Sequence, residues 1–190
     1  MNQKASVVIV YTGEGKGKTS AAIGLVARAL GSGQRVAFVQ FIKNWEVSEH
    51  KFFAKVREIY PDKFIFYRGG KGFIELGEHS ARNRETGLET TFNEHKIAAQ
   101  QTLAFAKKCI INGKYDVVIC DEINVAAKKK LISFDQLQEL IVSRNPKTSL
   151  CLTGRDWPDE LDDEADIITK MDKIKHHFDD GFIANIGIDY

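Results

Sequence analysis

The stretch Thr12-Gly13-Glu14-Gly15-Lys16-Gly17-Lys18-Thr19-Ser20 constrains this chain more than any other. It follows an apolar β-branched run, Val7-Val8-Ile9-Val10, and precedes Ala21-Ala22-Ile23-Gly24-Leu25-Val26-Ala27, which has helical spacing. Strand, glycine-rich turn and helix form the context of a Walker-type phosphate loop. Glycines let backbone N–H groups close around phosphate oxygens, and a helix N-terminus adds the positive end of its dipole. In this reading Gly13, Glu14, Gly15, Lys16, Gly17, Lys18, Thr19 and Ser20 line the nucleotide phosphates. Lys18 supplies charge to the outer phosphates and the Thr19 hydroxyl is a ligand for Mg²⁺.

The loop departs from the general G-x-x-x-x-G-K-[ST] pattern. Counting back from Gly17-Lys18-Thr19, Thr12 stands at the first glycine position and Gly13 comes one residue late. The glycine-to-glycine segment is therefore one residue short, with Gly15 inside it, and should hold a polyphosphate differently from a common ATPase. Lys16 adds a second cation. Glu14 is repelled by phosphate: two charges at about 4 Å interact by roughly 4 kcal/mol at an effective dielectric near 20. Glu14 is expected to turn toward solvent, a basic partner or the metal.

Apolar strand-like runs alternate with helical patterns along the rest of the chain. Strands are expected at 6–11, 36–40, 64–67, 117–121, 149–153, 167–169 and 186–189, and helices at 18–30, 49–60, 91–112, 134–144 and 158–164. Alternation of this kind implies an α/β fold: a three-layer, P-loop NTPase-like (RecA-like) arrangement with a mainly parallel central sheet flanked by helices. Gly31 and Gly113 sit where helix C-caps belong, and Pro158 suits a first helical turn. The 190 residues carry no repeat or linker and read as one domain, 1–190. The glycine-rich stretch 68–90 is the least regular and suggests a functional loop. The formal net charge is +1, which gives no reason to expect nucleic-acid binding. Neither a signal peptide nor a membrane span is expected. Cys109, Cys120 and Cys151 lack C-x-x-C spacing and read as buried reduced thiols in a cytoplasmic protein.

The second chemical signal is Val117-Val118-Ile119-Cys120-Asp121-Glu122, an apolar strand ending in two carboxylates. Ligands of open α/β sheets bind at the carboxyl ends of strands, so Asp121 and Glu122 are candidate Mg²⁺ ligands beside Thr19. Thr153-Gly154-Arg155 ends a later strand on the same edge, and Arg155 is a candidate contact for phosphate or a second anion. Gln40-Phe41-Ile42-Lys43 ends the second strand there too. Lys128-Lys129-Lys130 reads as a solvated helix end, and the acidic 156–166 stretch as a solvated helix. The histidines, His50, His79, His95, His176 and His177, show no zinc spacing.

Together the loop, Val39-Gln40-Phe41-Ile42-Lys43, Asp121-Glu122, Thr153-Gly154-Arg155, and the tail from Lys175-His176-His177-Phe178-Asp179-Asp180-Gly181 to Gly187-Ile188-Asp189-Tyr190 resemble the P-loop class of ATP:cob(I)alamin (corrinoid) adenosyltransferases. The short loop and the Gly-Ile-Asp-Tyr ending are the specific features, and the resemblance runs from the first strand to the last residue. It implies transfer of the 5′-deoxyadenosyl group from ATP to the Co(I) of a corrinoid, with release of triphosphate. It also implies that ATP lies reversed in the loop, that Mg²⁺ assists, and that the enzyme is a homodimer with a flavoprotein as a candidate reductant. Co(I) is itself the nucleophile, so the protein's task is positioning and stabilising the leaving triphosphate.

Two features depart from the family pattern. Family members carry a segment before the first strand that helps cover the corrinoid, whereas this chain begins almost at the strand. Members also have a Gly-Phe-x-Trp segment whose aromatics displace the lower cobalt ligand. Here Gly72-Phe73-Ile74-Glu75 keeps the Phe and replaces the Trp by Glu75. Phe73 is carried over as the residue packing on the corrin. Two alternatives stay open: a P-loop NTPase or kinase, and a non-catalytic ATP- or corrinoid-binding regulatory protein.

Overall fold

A computed structural model describes residues 5–44, 46–72, 80–82 and 89–189. Six parallel strands form the central sheet: β1 (Val8–Thr12), β2 (Val36–Gln40), β3 (Phe64–Arg68), β6 (Val117–Asp121), β7 (Ser149–Thr153) and β8 (Ile167–Lys170), in the spatial order β3-β2-β6-β7-β1-β8. A short antiparallel ribbon, β4 (Ser80–Arg82) with β5 (Glu89–Thr91), stands apart from it. The helices are α1 (Lys18–Gly31), α2 (Ser48–Ile59), α3 (Phe92–Ile111), α4 (Ile123–Lys128) and α5 (Phe134–Val142).

The three layers follow from strand alternation. Val36 and Phe38 of β2, Ile119 of β6 and Cys151 of β7 face Ala22 and Val26 of α1 and Phe53 and Val56 of α2. Ala37 and Val39, Val118 and Cys120, and Leu150 and Leu152 point the other way, onto Leu103 and Ile110 of α3, Ile123 of α4 and Leu137, Leu140 and Ile141 of α5. Successive side chains leave a strand on opposite faces, so a strand buried on both sides must be apolar throughout. Every residue of β2 is buried, its terminal Gln40 included. The three-layer parallel α/β fold expected from the sequence is the one observed.

The helix ends have local causes. Thr91 accepts from the Glu94 N–H while the Glu94 carboxylate accepts from the Thr91 N–H, a capping box that starts α3. Ser133 and Gln136 repeat it at α5. Gly113 (φ 65°) follows the α3 C-cap as expected. At α1 the expectation needs correction: the helix runs through Gly31, and the left-handed residue is Gly33 (φ 81°). Two other expectations are overturned. The 186–189 strand is absent, because the Asn185 N–H donates to Asp189 Oδ2 and the segment folds into a turn. The 158–164 helix is a 3₁₀ turn, Asp159–Glu164, anchored by the buried Leu161. α4, six residues long, carried no readable periodicity.

The phosphate loop is pressed from outside by the chain leaving β8. Gly15 N–H donates to the Met171 carbonyl at 2.6 Å, and Met171 N–H donates to the Thr12 carbonyl at 2.8 Å. A Cβ on Gly13 would stand 2.5 Å from the Met171 oxygen, and one on Gly15 2.7 Å from it. The two loop glycines therefore serve a close backbone approach. Gly15→Ala is expected to lower stability by about 1–3 kcal/mol through overpacking against backbone that cannot yield. Gly24, whose Cβ would meet nothing within 4 Å, supplies the control. Gly24→Ala should raise stability by roughly 0.5–1 kcal/mol as a helix-interior exchange, with thermal melts of both variants as the check.

Candidate nucleotide site

β1, β2, β6 and β7 end at one edge of the sheet, in a register that pairs Gln40 with Asp121 and Tyr11 with Thr153. At that edge the Asp121 carboxylate, 0% exposed, collects three side-chain donors. Thr19 Oγ1 donates to its Oδ1 at 2.9 Å, Thr153 Oγ1 donates to the same oxygen at 2.7 Å, and Gln40 Nε2 donates to Oδ2 at 3.0 Å. Gln40 is itself oriented: its Oε1 accepts from His50 Nε2 at 2.8 Å, and His50 Nδ1 lies 3.3 Å from Arg68 Nη1. Burial, with the Arg68 charge second, lowers the His50 pKa and favours the neutral ring that this chain requires.

Lys18 is buried at the head of α1, and its ammonium donates to the carbonyls of Gly13 at 2.6 Å and Gly15 at 2.7 Å. It thus fills the loop that a phosphate would enter. Burial lowers its pKa, while the Glu122 and Glu14 carboxylates oppose the shift. Gly17 (φ 114°) takes the left-handed turn into α1, and Ser20 is exposed on the first turn of that helix.

The remaining site residues are distributed as follows. Glu14 pairs with Arg155 at 3.0 Å, so Glu14 has found a basic partner and Arg155 is engaged within the loop. Lys16 turns to the tail, 2.8 Å from Asp189. The Gly15 N–H, expected on phosphate, is committed to Met171. Glu122 adopts a left-handed backbone (φ 62°), and its N–H donates to Thr153 Oγ1 at 3.0 Å. Burial, then the neighbouring Asp121, pushes its carboxyl up to about 7, against the attraction of Lys43, Lys18 and Arg155. Phe73 and Glu75 lie outside the described residues.

Sequence reasoning missed His50 and Glu49. Glu49 pairs with the half-buried Lys43 at 2.8 Å. Burial lowers the Lys43 pKa, but the Asp121 and Glu49 carboxylates outweigh it and the net shift is upward. The signal was there in Ser48-Glu49-His50, polar residues at the start of the helix that next follows the Gln40–Lys43 strand end. The cysteines met expectation: all three are buried and free. Burial raises each thiol, Cys109 to about 11, which leaves them poor nucleophiles. Among the described residues no helix is long and apolar enough to cross a membrane.

Comparisons with known proteins give the family of the chain. The family model described as ATP:corrinoid adenosyltransferase BtuR/CobO/CobP matches residues 4–190. The chain belongs to that family. A corrinoid adenosyltransferase of Pseudomonas aeruginosa is 31% identical over 97% of this chain and 83% of its own length. One from Escherichia coli K12 is 30% identical over 97% of the chain and 85% of its length. One from Salmonella typhimurium is 29% identical over 99% and 87%. Membership makes the chain an enzyme of adenosyl transfer from ATP to a corrinoid.

The Glu122 environment gives a pH test. An unfolded Glu ionises near the ordinary 4.5, whereas the folded one keeps its proton up to about 7. Between those values the folded state binds more protons, so stability is greatest at the acid end and falls as pH rises through the window. Glu122→Gln should remove that slope. Melting temperatures of the two proteins from pH 4.5 to 7.5 should converge at the acid end and separate, variant higher, toward neutrality.

Proposed function

We propose that this chain transfers the 5′-deoxyadenosyl group of ATP to the Co(I) of a corrinoid, with Lys18, Thr19 and Asp121 forming the centre of its nucleotide site. The observation that carries the reading is the convergence of those three side chains at one strand edge, in a chain that its family matches from end to end. The Co(I) electron pair forms the cobalt–carbon bond at C5′. The C5′–O bond breaks, and its electrons leave with the triphosphate. No protein nucleophile is required, in keeping with thiols that are buried and hard to ionise.

The protein's own groups then have defined tasks. Lys18 exchanges its two loop carbonyls for phosphate oxygens and meets charge developing on the leaving group. The α1 N-terminus adds its dipole there. Arg155 and Lys16 each hold a carboxylate partner and are the reserve cations of the loop. Mg²⁺ fits the donor set: a buried carboxylate and a threonine hydroxyl 2.9 Å apart are the hard oxygen ligands it prefers. Thr19 and Asp121 would hold it, with Glu122 in support, and when bound it would supply charge neutralisation for the triphosphate. Gln40, Thr153 and His50 keep the Asp121 carboxylate in one orientation.

The corrinoid side rests on the resemblance, with Phe73 packing on the ring. The chain acts as one domain, 1–190, in the cytoplasm, with a flavoprotein as a candidate reductant. A homodimer is supported by exposed Ile167 and Ile168 on the edge strand β8, since apolar sheet edges favour a partner.

An anaerobic assay with ATP and reduced cobalamin tests the activity. The expected products are the cobalt–carbon compound and free triphosphate. ADP and phosphate would instead identify an NTPase or kinase, and binding without turnover a regulatory protein. Lys18→Ala and Thr19→Ala should each lower kcat by about 100-fold or more, the scale of a lost charge-stabilising donor, when turnover is measured per folded molecule. Near-normal turnover in both folded variants would remove the phosphate-loop assignment.

A further inference from the structure

Among the described residues, the Lys16 side chain ties the phosphate loop to the last residues of the chain. Lys16 Nζ lies 2.8 Å from Asp189 Oδ1 and also donates to the Ile188 carbonyl. Asp189 is the fixed partner of the pair. Its side chain is 7% exposed, against 40% for Lys16. Its Oδ2 accepts from the Asn185 N–H at 2.8 Å, and its own N–H donates back to the Asn185 carbonyl at 2.8 Å. His177 Nε2 stands 3.3 Å from the same Oδ2. The Asn185 N–H and the Lys16 ammonium hold the carboxyl down to about 2, so it is ionised at every working pH.

His176, His177 and Asp189 offer ligand atoms within 4.8 Å of one another, the arrangement a divalent cation would use. Asp189 is already committed, however, with an ammonium on one oxygen and a backbone N–H on the other. The charge nearest this carboxylate belongs to the loop. Lys16 lies between Gly15, pinned to Met171, and Gly17, the N-cap of α1. A carboxylate that fixes Lys16 therefore fixes the segment between the strap and the helix.

We propose that Asp189 is a positioning residue of the nucleotide site: acting through Lys16, it holds the phosphate loop in its binding shape and keeps the second loop ammonium beside the triphosphate. This rests on the reading that the loop binds the phosphates of ATP. Loss of one charged partner of such a pair is expected to weaken ATP binding by about tenfold.

The test is calorimetric titration of the full chain with ATP and Mg²⁺, which needs no turnover. D189N should bind ATP about tenfold more weakly, and D189E should recover part of the loss, because only a carboxylate restores the charge-assisted bond. In a K16M background D189N should cause no further loss. In the anaerobic assay D189N should raise the KM for ATP, with kcat within about twofold of the parent and the corrinoid KM unchanged. A merely structural role would move both substrates and the melting temperature together, and that result overturns the proposal. So does an equal loss in the K16M background, or tighter ATP binding by D189N, which would mean that Asp189 withholds Lys16. If D189N does not fold, K16Q reads the same contact from the loop side, and ATP affinity equal to the parent's overturns the proposal. Coupling seen in titration without adenosyl transfer in the assay would leave this inference standing and remove the proposed activity. A parent protein that binds no ATP would remove both.

Discussion

A buried carboxylate organises this molecule. Asp121 ends β6 in the centre of the sheet, fully out of solvent, and among the described residues no cation pairs with it. A charge taken out of water costs several kcal/mol unless its lone pairs are satisfied. Three donors satisfy them, each worth roughly 1.5–3 kcal/mol for a bond to a charged group. Those donors come from α1, β2 and β7, so one side chain fixes the relative positions of four elements. It also explains polar residues at the ends of otherwise apolar strands. Gln40 and Thr153 are 0% exposed, and replacing either by an apolar residue would leave an oxygen of Asp121 short of a donor.

The phosphate loop is shaped from both sides. Inside, the Lys18 ammonium bonds the carbonyls of Gly13 and Gly15 and holds the loop closed. Outside, Met171 and Asp172 pack so closely that side chains at residues 13 and 15 are excluded. The short, glycine-rich character of the loop is thus largely a consequence of the strap after β8. A similar approach explains part of the glycine-rich stretch that follows β3. A Cβ at Gly70 would fall 2.2 Å from the Ile42 backbone, and the Gly72 N–H donates to the Ile42 carbonyl. Glycine there lets the chain run on beside the 40–42 segment, beyond the last paired residues of β2 and β3, and so brings residue 72 to the edge that carries the candidate nucleotide site.

How much was legible in the sequence depended on the range of the interaction. β2, β6 and β7 were readable to the residue, because a strand buried on both faces must be apolar throughout and ends where its polar site residues begin. The tail misled for a physical reason. Ile186 and Ile188 alternate as in a strand, but Gly187 (φ 76°) and the Asp189 hook to Asn185 fold the segment on itself. The loop, Asp121 and Glu122 were readable because each motif is local. The Glu14–Arg155 and Lys16–Asp189 pairs were not, since they join residues at opposite ends of the chain and depend on the strand order. His50 was passed over because a lone histidine was weighed as a metal ligand, whereas its role is to orient an amide.

The division of labour between protein and substrates explains what the site contains and what it omits. Reactions that activate water or a hydroxyl need a base held against the proton it removes. Here the strongest acceptor, Asp121, has its oxygens filled by donors, and Glu122 keeps its proton to about 7. The cysteines are sealed in the core. What remains at the edge is a set of cations and N–H groups around a loop: Lys18, Lys16, Arg155 and the start of α1. Such a set does nothing to create a nucleophile and a great deal to stabilise a departing polyanion. A reaction whose nucleophile arrives with the corrinoid, and whose leaving group is a triphosphate, is the one for which that imbalance is an advantage.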